Sequence, residues 1–323
     1  TVILKAYKKE KFSSSLEAME TVMKQLGAEF ECAETDWRNT DCIISQFAFN
    51  LGGASNTGWA VSSLLQDSKG YVVMLCYTPT DVFYDLEQFV ISCVDSLCID
   101  YGSYYSPGPL TSFAFPKGEV QNHTVEIAGE KIDFTLNSND IEAEKFVIER
   151  EYAILCLYQE SEMWVEAWQR YYRQVYKNAY SRLKIAAFNI YNRLIKTCES
   201  ENPEIELTQK LLSWTQGFDY VRDFTSTDFT PITASITGTG SDCDSRAMLL
   251  ACLLHHMNYD TCLFVSAEFS HSLFGIVLDK AGAKINIDGR QFLLGETTAQ
   301  VDIGLVPVNM NQTDKWIFVE LNN

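Results

Sequence analysis

The stretch from Gly238 to Met257 limits the architecture most strongly. A loop carrying Gly238 and Gly240 runs into an apolar segment where Ala247, Leu250, Ala251 and Leu254 fall at i, i+3, i+4 and i+7, the spacing of one helix face. That face must be buried against another layer. The residues downstream supply one. Asp260–Ala267 and His271–Leu278 read as strands, Asp288-Gly289 as a tight turn, and Gln291–Leu294 as a third strand. Helix, strand, strand, hairpin, strand is an order that sets a helix N-terminus against an antiparallel sheet.

The rest of the chain reads as α+β. Residues 13–27 form a helix with a serine cluster for its N-cap and Gly27 for its C-cap. Short β-rich runs follow at Asp41–Phe49, Trp59–Leu65 and Tyr71–Tyr77, punctuated by Gly52-Gly53 and by Ser68-Lys-Gly70. Asp81–Cys98 has helical spacing. Thr124–Ile127 and Lys131–Leu136 flank Ala128-Gly129-Glu130 as a hairpin, His123 beside it reads as a surface residue, and Lys145–Tyr158 reads as another strand pair. Between 161 and 198, Trp164, Trp168, Tyr172, Val175, Tyr176, Leu183 and Ile190 recur at helical spacing, as one long helix or two broken near the middle. Glu199–Glu206 is a polar linker and Leu207–Trp214 begins another helix. The expected boundary lies near 150–160: an N-terminal α+β domain over 1–155, then the long helical segment and a second domain over 156–323.

At 323 residues the chain is long enough for two cores. Its net charge of −18 argues against non-specific nucleic-acid binding, which needs clustered Lys and Arg. No run is long and apolar enough to span a bilayer. The ten cysteines show no CxxC pair and no zinc-ligand spacing, so most read as reduced structural thiols. A start at Thr1 is compatible with a removed leader and hence with a periplasmic or cell-surface protein. The absence of a disulfide-like layout points the other way.

Cys243 is the residue with chemical promise. A thiol in the first turn of a helix feels the positive end of the macrodipole, which favours the thiolate. Downstream, His271 opens a strand and Glu296 follows one, so a base and an orienting carboxylate are available on neighbouring elements. His255 and His256 are adjacent on a helix and make a poor metal pair.

This order resembles the transglutaminase-like superfamily, in particular its bacterial cysteine-peptidase branch with a papain-like core. The family's Cys element is similar to Gly240–Leu250, its His element to His271-Ser-Leu-Phe-Gly-Ile276, and its acid element to Glu296-Thr297-Thr298. Asp302-Ile-Gly-Leu-Val-Pro307 and Leu212–Tyr220 extend the similarity, which covers roughly 207–310. Three positions depart from the family pattern. Asp244 replaces Glu, Ser272 replaces a small Ala, and the loop Glu268-Phe-Ser270 lacks a common Gly.

The resemblance implies a helix bearing Cys243 packed on an antiparallel sheet and a Cys243-His271-Glu296 triad. It further implies thiol-dependent acyl transfer or hydrolysis on peptide or glutamine-type amides. Gln216 is a candidate extra oxyanion donor by analogy, Asp288 is left as a turn residue, and no metal or organic cofactor is required. The partner expected is a protein or peptide substrate. The alternative is a non-catalytic protein- or peptide-binding module on the same fold.

Overall fold

Tyr71-Val-Val-Met-Leu-Cys-Tyr77 is nearly continuous in apolar side chains, the composition of a strand covered on both faces. The computed structural model describes residues 1–66, 69–222, 227, 229–238 and 240–321, and bears this out. Among them the chain divides into two units, Thr1–Pro116 and Lys117–Asn323.

The first unit contains β1 (Val2–Lys8), α1 (Ser15–Leu26), β2 (Glu29–Asp36), β3 (Asp41–Leu51), β4 (Ala54–Leu64), β5 (Gly70–Pro79), α2 (Phe83–Asp95), α3 (Tyr101–Tyr104) and α4 (Pro109–Ala114). The strands form one antiparallel sheet in the order β1-β5-β4-β3-β2. Alternation along the strands sends Ile43, Phe47, Val73 and Leu75 to the α1 face. Cys42, Ile44, Val72, Met74 and Cys76 go to the face covered by α2 and α4. The α1 helix starts at Ser14, whose side chain accepts from Glu17 N–H, and stops at Gly27 with φ 62°. Ser68, in the expected turn before β5, lies outside the described residues.

The second unit contains β6 (Val120–Ile127), β7 (Glu130–Asn137), α5 (Asp140–Cys156), α6 (Trp164–Tyr180), α7 (Lys184–Leu194), α8 (Pro203–Gln216), α9 (Ile232–Ile236), α10 (Cys243–His256), β8 (Thr261–Ser266), β9 (His271–Val277), β10 (Lys284–Ile287), β11 (Arg290–Gly295) and β12 (Ile317–Glu320). Its larger sheet is antiparallel in the order β10-β11-β9-β8-β12, and β6-β7 pair as a separate hairpin. Every residue from Cys243 to Leu254 is buried, so α10 is a central helix. It packs on β8 and β9 and is contacted by α6, α7, α8 and α9. That exceeds the single buried face expected from its spacing.

Three expectations change. The division falls at Pro116 rather than near 155, because the β6-β7 hairpin packs against α7 of the second unit. Asn189 Nδ2 donates to the Asp133 carbonyl at 2.8 Å and Arg193 Nε to Glu130 at 2.5 Å. Second, Lys145–Tyr158 is not a strand pair but the body of α5. Its buried residues Asp140, Ala143, Glu144, Val147, Ile148, Glu151 and Ile154 follow helical spacing, and Arg150 is buried beside them. Three of these are carboxylates, which hid the period from a reading of apolar residues alone. Third, His123 is half-buried rather than a surface residue, its ring stacked on Phe134 at 5.8 Å. The aromatic segment resolves into two helices, α6 and α7, with Tyr171, Tyr172, Val175 and Tyr176 turned inward.

All ten cysteines are free thiols. No helix among the described residues is long and apolar enough to cross a membrane.

Candidate active site

The register of the larger sheet brings its acid and base together. In the β11-β9 pair, Leu294 lies opposite Gly275 and Gly295 opposite Phe274, so the chain leaving β11 at Glu296 passes the start of β9. Asp288 and Gly289, with φ of 49° and 84°, make the turn that returns β10 to β11. Asp288 is thus a turn residue. His271 Nε2 and Glu296 Oε2 stand 2.7 Å apart, both side chains largely buried. Glu296 Oε1 accepts from Thr298 N–H at 2.7 Å and from its hydroxyl at 2.6 Å. Burial alone would raise this carboxyl. The bonds from His271 and Thr298, with the charge of His271, outweigh burial and hold it below the usual carboxylate range. The ring's other nitrogen, Nδ1, makes no hydrogen bond to a described residue.

Cys243 arrives by a different route. Asp242 caps α10, its side chain accepting from Ser245 N–H at 2.7 Å. Gly240, at φ 88°, shapes the preceding loop: a Cβ there would meet Val221 Cγ2 at 2.7 Å. Thr239 lies outside the described residues. Because α10 packs on β9, the Cys243 sulfur faces the backbone N–H of Ser272, the residue after His271. Cys243 is 2 % exposed. The Tyr220 hydroxyl lies beside the sulfur, and Tyr220 itself is bridged to Ser241.

The thiolate expected from the helix dipole is not what this environment favours. Burial pushes the Cys243 thiol far up, and the carboxylates of Asp244 and Asp242 push it further. The dipole acts through partial charges and is worth roughly 1 kcal/mol, less than desolvation of a buried anion. Cys243 Sγ donates to Asp244 Oδ2 at 3.6 Å. The resting state is therefore a neutral thiol.

Two departures from the family pattern meet at that carboxylate. Asp244 Oδ1 accepts from the hydroxyls of Ser272 and Tyr172, all three residues being buried. Tyr172 comes from α6, so the aromatic stripe contributes one polar atom to the site. The third departure is local: Ser270 adopts φ 46°, a conformation that glycine enters without a Cβ penalty.

Gln216 does not serve as an oxyanion donor. Its Nε2 donates to the carbonyls of Glu296 and Val301, both at 2.8 Å, so both amide hydrogens hold the acid-bearing loop. Arg246, three residues beyond Cys243, acts similarly on a larger scale. It is 1 % exposed and donates to Ser241 Oγ at 3.2 Å, the Thr297 carbonyl at 3.2 Å and the Phe218 carbonyl at 2.7 Å. Its guanidinium also lies over the Tyr220 ring at 5.5 Å. One side chain thus ties the loops that carry Cys243, Glu296 and Tyr220. Sequence reading gave no role at the site to Arg246 or Tyr220, noted Asp244 only as a departure from the family pattern, and placed Tyr172 only in the aromatic stripe. Arg246 offered a signal as a charge inside an apolar helix.

His271 and Glu296 also line a pocket of about 530 Å³ whose other walls include Phe269, Val301, Leu305 and Met310. Among the described residues no cluster of His, Cys, Asp and Glu has the makings of a metal site. The chain matches no protein-family model and no curated protein.

Proposed function

We propose that the second unit is a transglutaminase-like domain with a papain-like core that carries out thiol-dependent acyl transfer or hydrolysis on peptide or glutamine-type amides. The observation that carries this reading is the 2.7 Å His271–Glu296 pair on adjoining strands, with the Cys243 sulfur against the next backbone N–H of β9. Cys243 attacks the amide carbonyl, and its proton passes to His271 Nδ1 as the S–C bond forms. His271 then delivers that proton to the departing amine nitrogen as the C–N bond breaks. Glu296 fixes the tautomer through Nε2 and stabilises the charged ring. Water or a second amine attacks the thioester, returning the proton through His271 and regenerating the thiol.

The neutral resting thiol fits a proton transfer concerted with attack, as in serine enzymes, rather than a standing thiolate–imidazolium pair. Oxyanion stabilisation falls to the first turn of α10. The Asp242 side chain takes the Ser245 N–H there, while no described residue accepts from the N–H of Cys243 or Asp244. The reaction uses side chains and backbone alone, so it requires no metal or organic cofactor.

One observation favours a second reading, a non-catalytic peptide-binding module: Cys243 is almost fully covered. A single experiment separates the two. The protein is incubated with p-nitrophenyl acetate, quenched in acid and mapped by mass spectrometry. Acyl transfer requires one acetyl group on Cys243 that hydroxylamine removes and that Cys243→Ala lacks. An unmodified Cys243 under conditions that acetylate surface lysines would establish the binding-module reading instead.

A further inference from the structure

A second concavity lies in the same unit and shares no lining residue with the pocket at His271 and Glu296. It is a groove of about 1020 Å³ between β6 and α8, lined by Thr124, Glu126, Gln209, Trp214, Asp219 and Asp302 among others. None of these residues has a part in the reaction proposed above.

The β6 strand borders this groove with an open edge. Among the described residues it pairs only with β7, through the register Val120↔Asn137 to Ile127↔Glu130. The loop is two residues long, with Ala128 at φ 52° and Gly129 at φ 81°. In such a hairpin the flanking pair, Ile127 and Glu130, exchanges both hydrogen bonds, and the pattern alternates from there. Val125 and His123 therefore bond to β7, while the N–H and C=O groups of Asn122, Thr124 and Glu126 point the other way. No described residue outside β7 hydrogen-bonds to the backbone of those three. Thr124 and Glu126 are the two that line the groove. The edge has neither a proline nor a bulge to blunt it.

Charge decides what would add to that edge. Both lysines in the lining are engaged internally. Lys210 bonds Glu206 at 2.7 Å and the Thr197 carbonyl at 2.7 Å, and Lys280 bonds the Ile303 carbonyl at 2.9 Å. Glu126, Asp219 and Asp302 form no ion pair with a described residue. The lining thus sets four carboxylates, Glu126, Glu206, Asp219 and Asp302, against two lysines, so it is net negative beside the β6 edge, and the half-buried Trp214–Phe218 pair adds an apolar surface. The lining also includes Asp219, which precedes Tyr220 of the Tyr220–Ser241 bridge.

We propose that this groove binds an extended, lysine- or arginine-bearing peptide segment that adds to β6 as a third strand. Backbone groups of Asn122, Thr124 and Glu126 would supply the pairing, and Glu126 and Asp302 the preference for positive charge. At ~3.3 Å per residue, the three outward positions accommodate about five residues of the guest. Binding needs no acyl transfer, so the inference stands or falls separately from the reaction.

The test is fluorescence polarisation with the full chain and a labelled, capped peptide of alternating Lys and Val. Its counterpart alternates Glu and Val. Two further peptides carry N-methyl groups on the lysine nitrogens or on the valine nitrogens, since only alternate N–H groups of an added strand face β6. The basic peptide is expected to bind at least about tenfold more tightly than the acidic one. One N-methylated peptide is expected to lose about tenfold or more and the other to keep its affinity. Glu126→Lys with Asp302→Lys should weaken the basic peptide about fivefold or more, and Thr124→Pro should do so without disturbing the β7 ladder. Equal binding of acidic and basic peptides would overturn the proposal, as would parental affinity in both N-methylated forms. No saturation up to about 1 mM would do the same.

Discussion

The two units solve the burial problem differently. In Thr1–Pro116 the buried polar side chains are Ser15, Ser45, Asn56, Ser62, Ser63, Ser92, Ser103 and Thr111, all neutral. In Lys117–Asn323, Asp140, Glu144, Arg150, Glu151, Asp242, Asp244, Arg246 and Glu296 are buried, and all are ionisable. A buried charge costs several kcal/mol unless it is paired and hydrogen-bonded, so a core that keeps eight such groups is built around positioning as well as packing. Four of them sit within the loop and helix of Cys243 or beside His271. The difference separates a unit whose sheet is an end in itself from one whose sheet aims side chains.

The contrast is most vulnerable at Arg246. Arg246→Met leaves the Thr297 and Phe218 carbonyls and Ser241 Oγ without their donor, so the second unit should lose about 3–5 kcal/mol. Hydrogen exchange read by mass spectrometry should show protection falling in Lys117–Asn323 while Thr1–Pro116 is unchanged. Loss of protection spread evenly over both units would contradict the division.

Glu144 comes next. It is fully buried and accepts from Thr233 N–H at 2.9 Å and from its hydroxyl at 3.0 Å. Burial pushes its carboxyl up to about 7, against lowering contributions from Arg182 and Thr233. Its folded value stands above the unfolded one, so its stabilisation is complete below about 4.5 and is lost as pH rises through 7. The effect amounts to about 3 kcal/mol across that window. Glu144→Gln should flatten the pH dependence of urea unfolding there. An unchanged slope would show that another group sets it.

A smaller effect is expected at Asp244, the carboxylate that adds to burial in keeping Cys243 neutral. Asp244→Asn should speed alkylation of Cys243 by iodoacetamide about tenfold at pH 8, since it removes one of two anions that oppose the thiolate. A slower or equal rate would mean that coverage by Tyr220, not charge, limits the thiol. The smallest expected effect is in the first unit. The Arg38–Asp100 pair, 2.8 Å apart and partly exposed, should cost about 1 kcal/mol or less on Arg38→Met. A loss matching that of Arg246→Met would erase the contrast between the two units.

Much of the site was legible in sequence because its carriers obey strong local rules. The helix spacing of Ala247, Leu250, Ala251 and Leu254 and the Asp288-Gly289 turn place α10 and the β10-β11 hairpin, and β-sheet register then brings Glu296 past His271. What escaped depends on tertiary context. The α5 helix buries carboxylates where apolar residues were sought, and Glu151 is satisfied by Arg150 and Arg170, the latter nineteen residues away. The state of Cys243 was misjudged for a similar reason. A dipole can be inferred from position in a helix, whereas desolvation and the Asp244–Ser272–Tyr172 cluster exist only after folding. Gln216 reads as a free donor until its two acceptors, the Glu296 and Val301 carbonyls, arrive from 80 and 85 residues further along the chain. The strands β1, β2 and β12 lacked a clear alternating pattern because much of their length is exposed or half-buried.

The most direct measurement is the single-turnover rate of Cys243 acetylation by p-nitrophenyl acetate at pH 7.5, compared among the unaltered chain, His271→Ala and Glu296→Gln. If His271 takes the thiol proton during attack, His271→Ala should slow acetylation by about 100-fold or more. Glu296→Gln, which keeps a hydrogen-bond acceptor but removes the charge, should fall between. Equal rates in all three would contradict the triad, leaving Cys243 a buried core thiol.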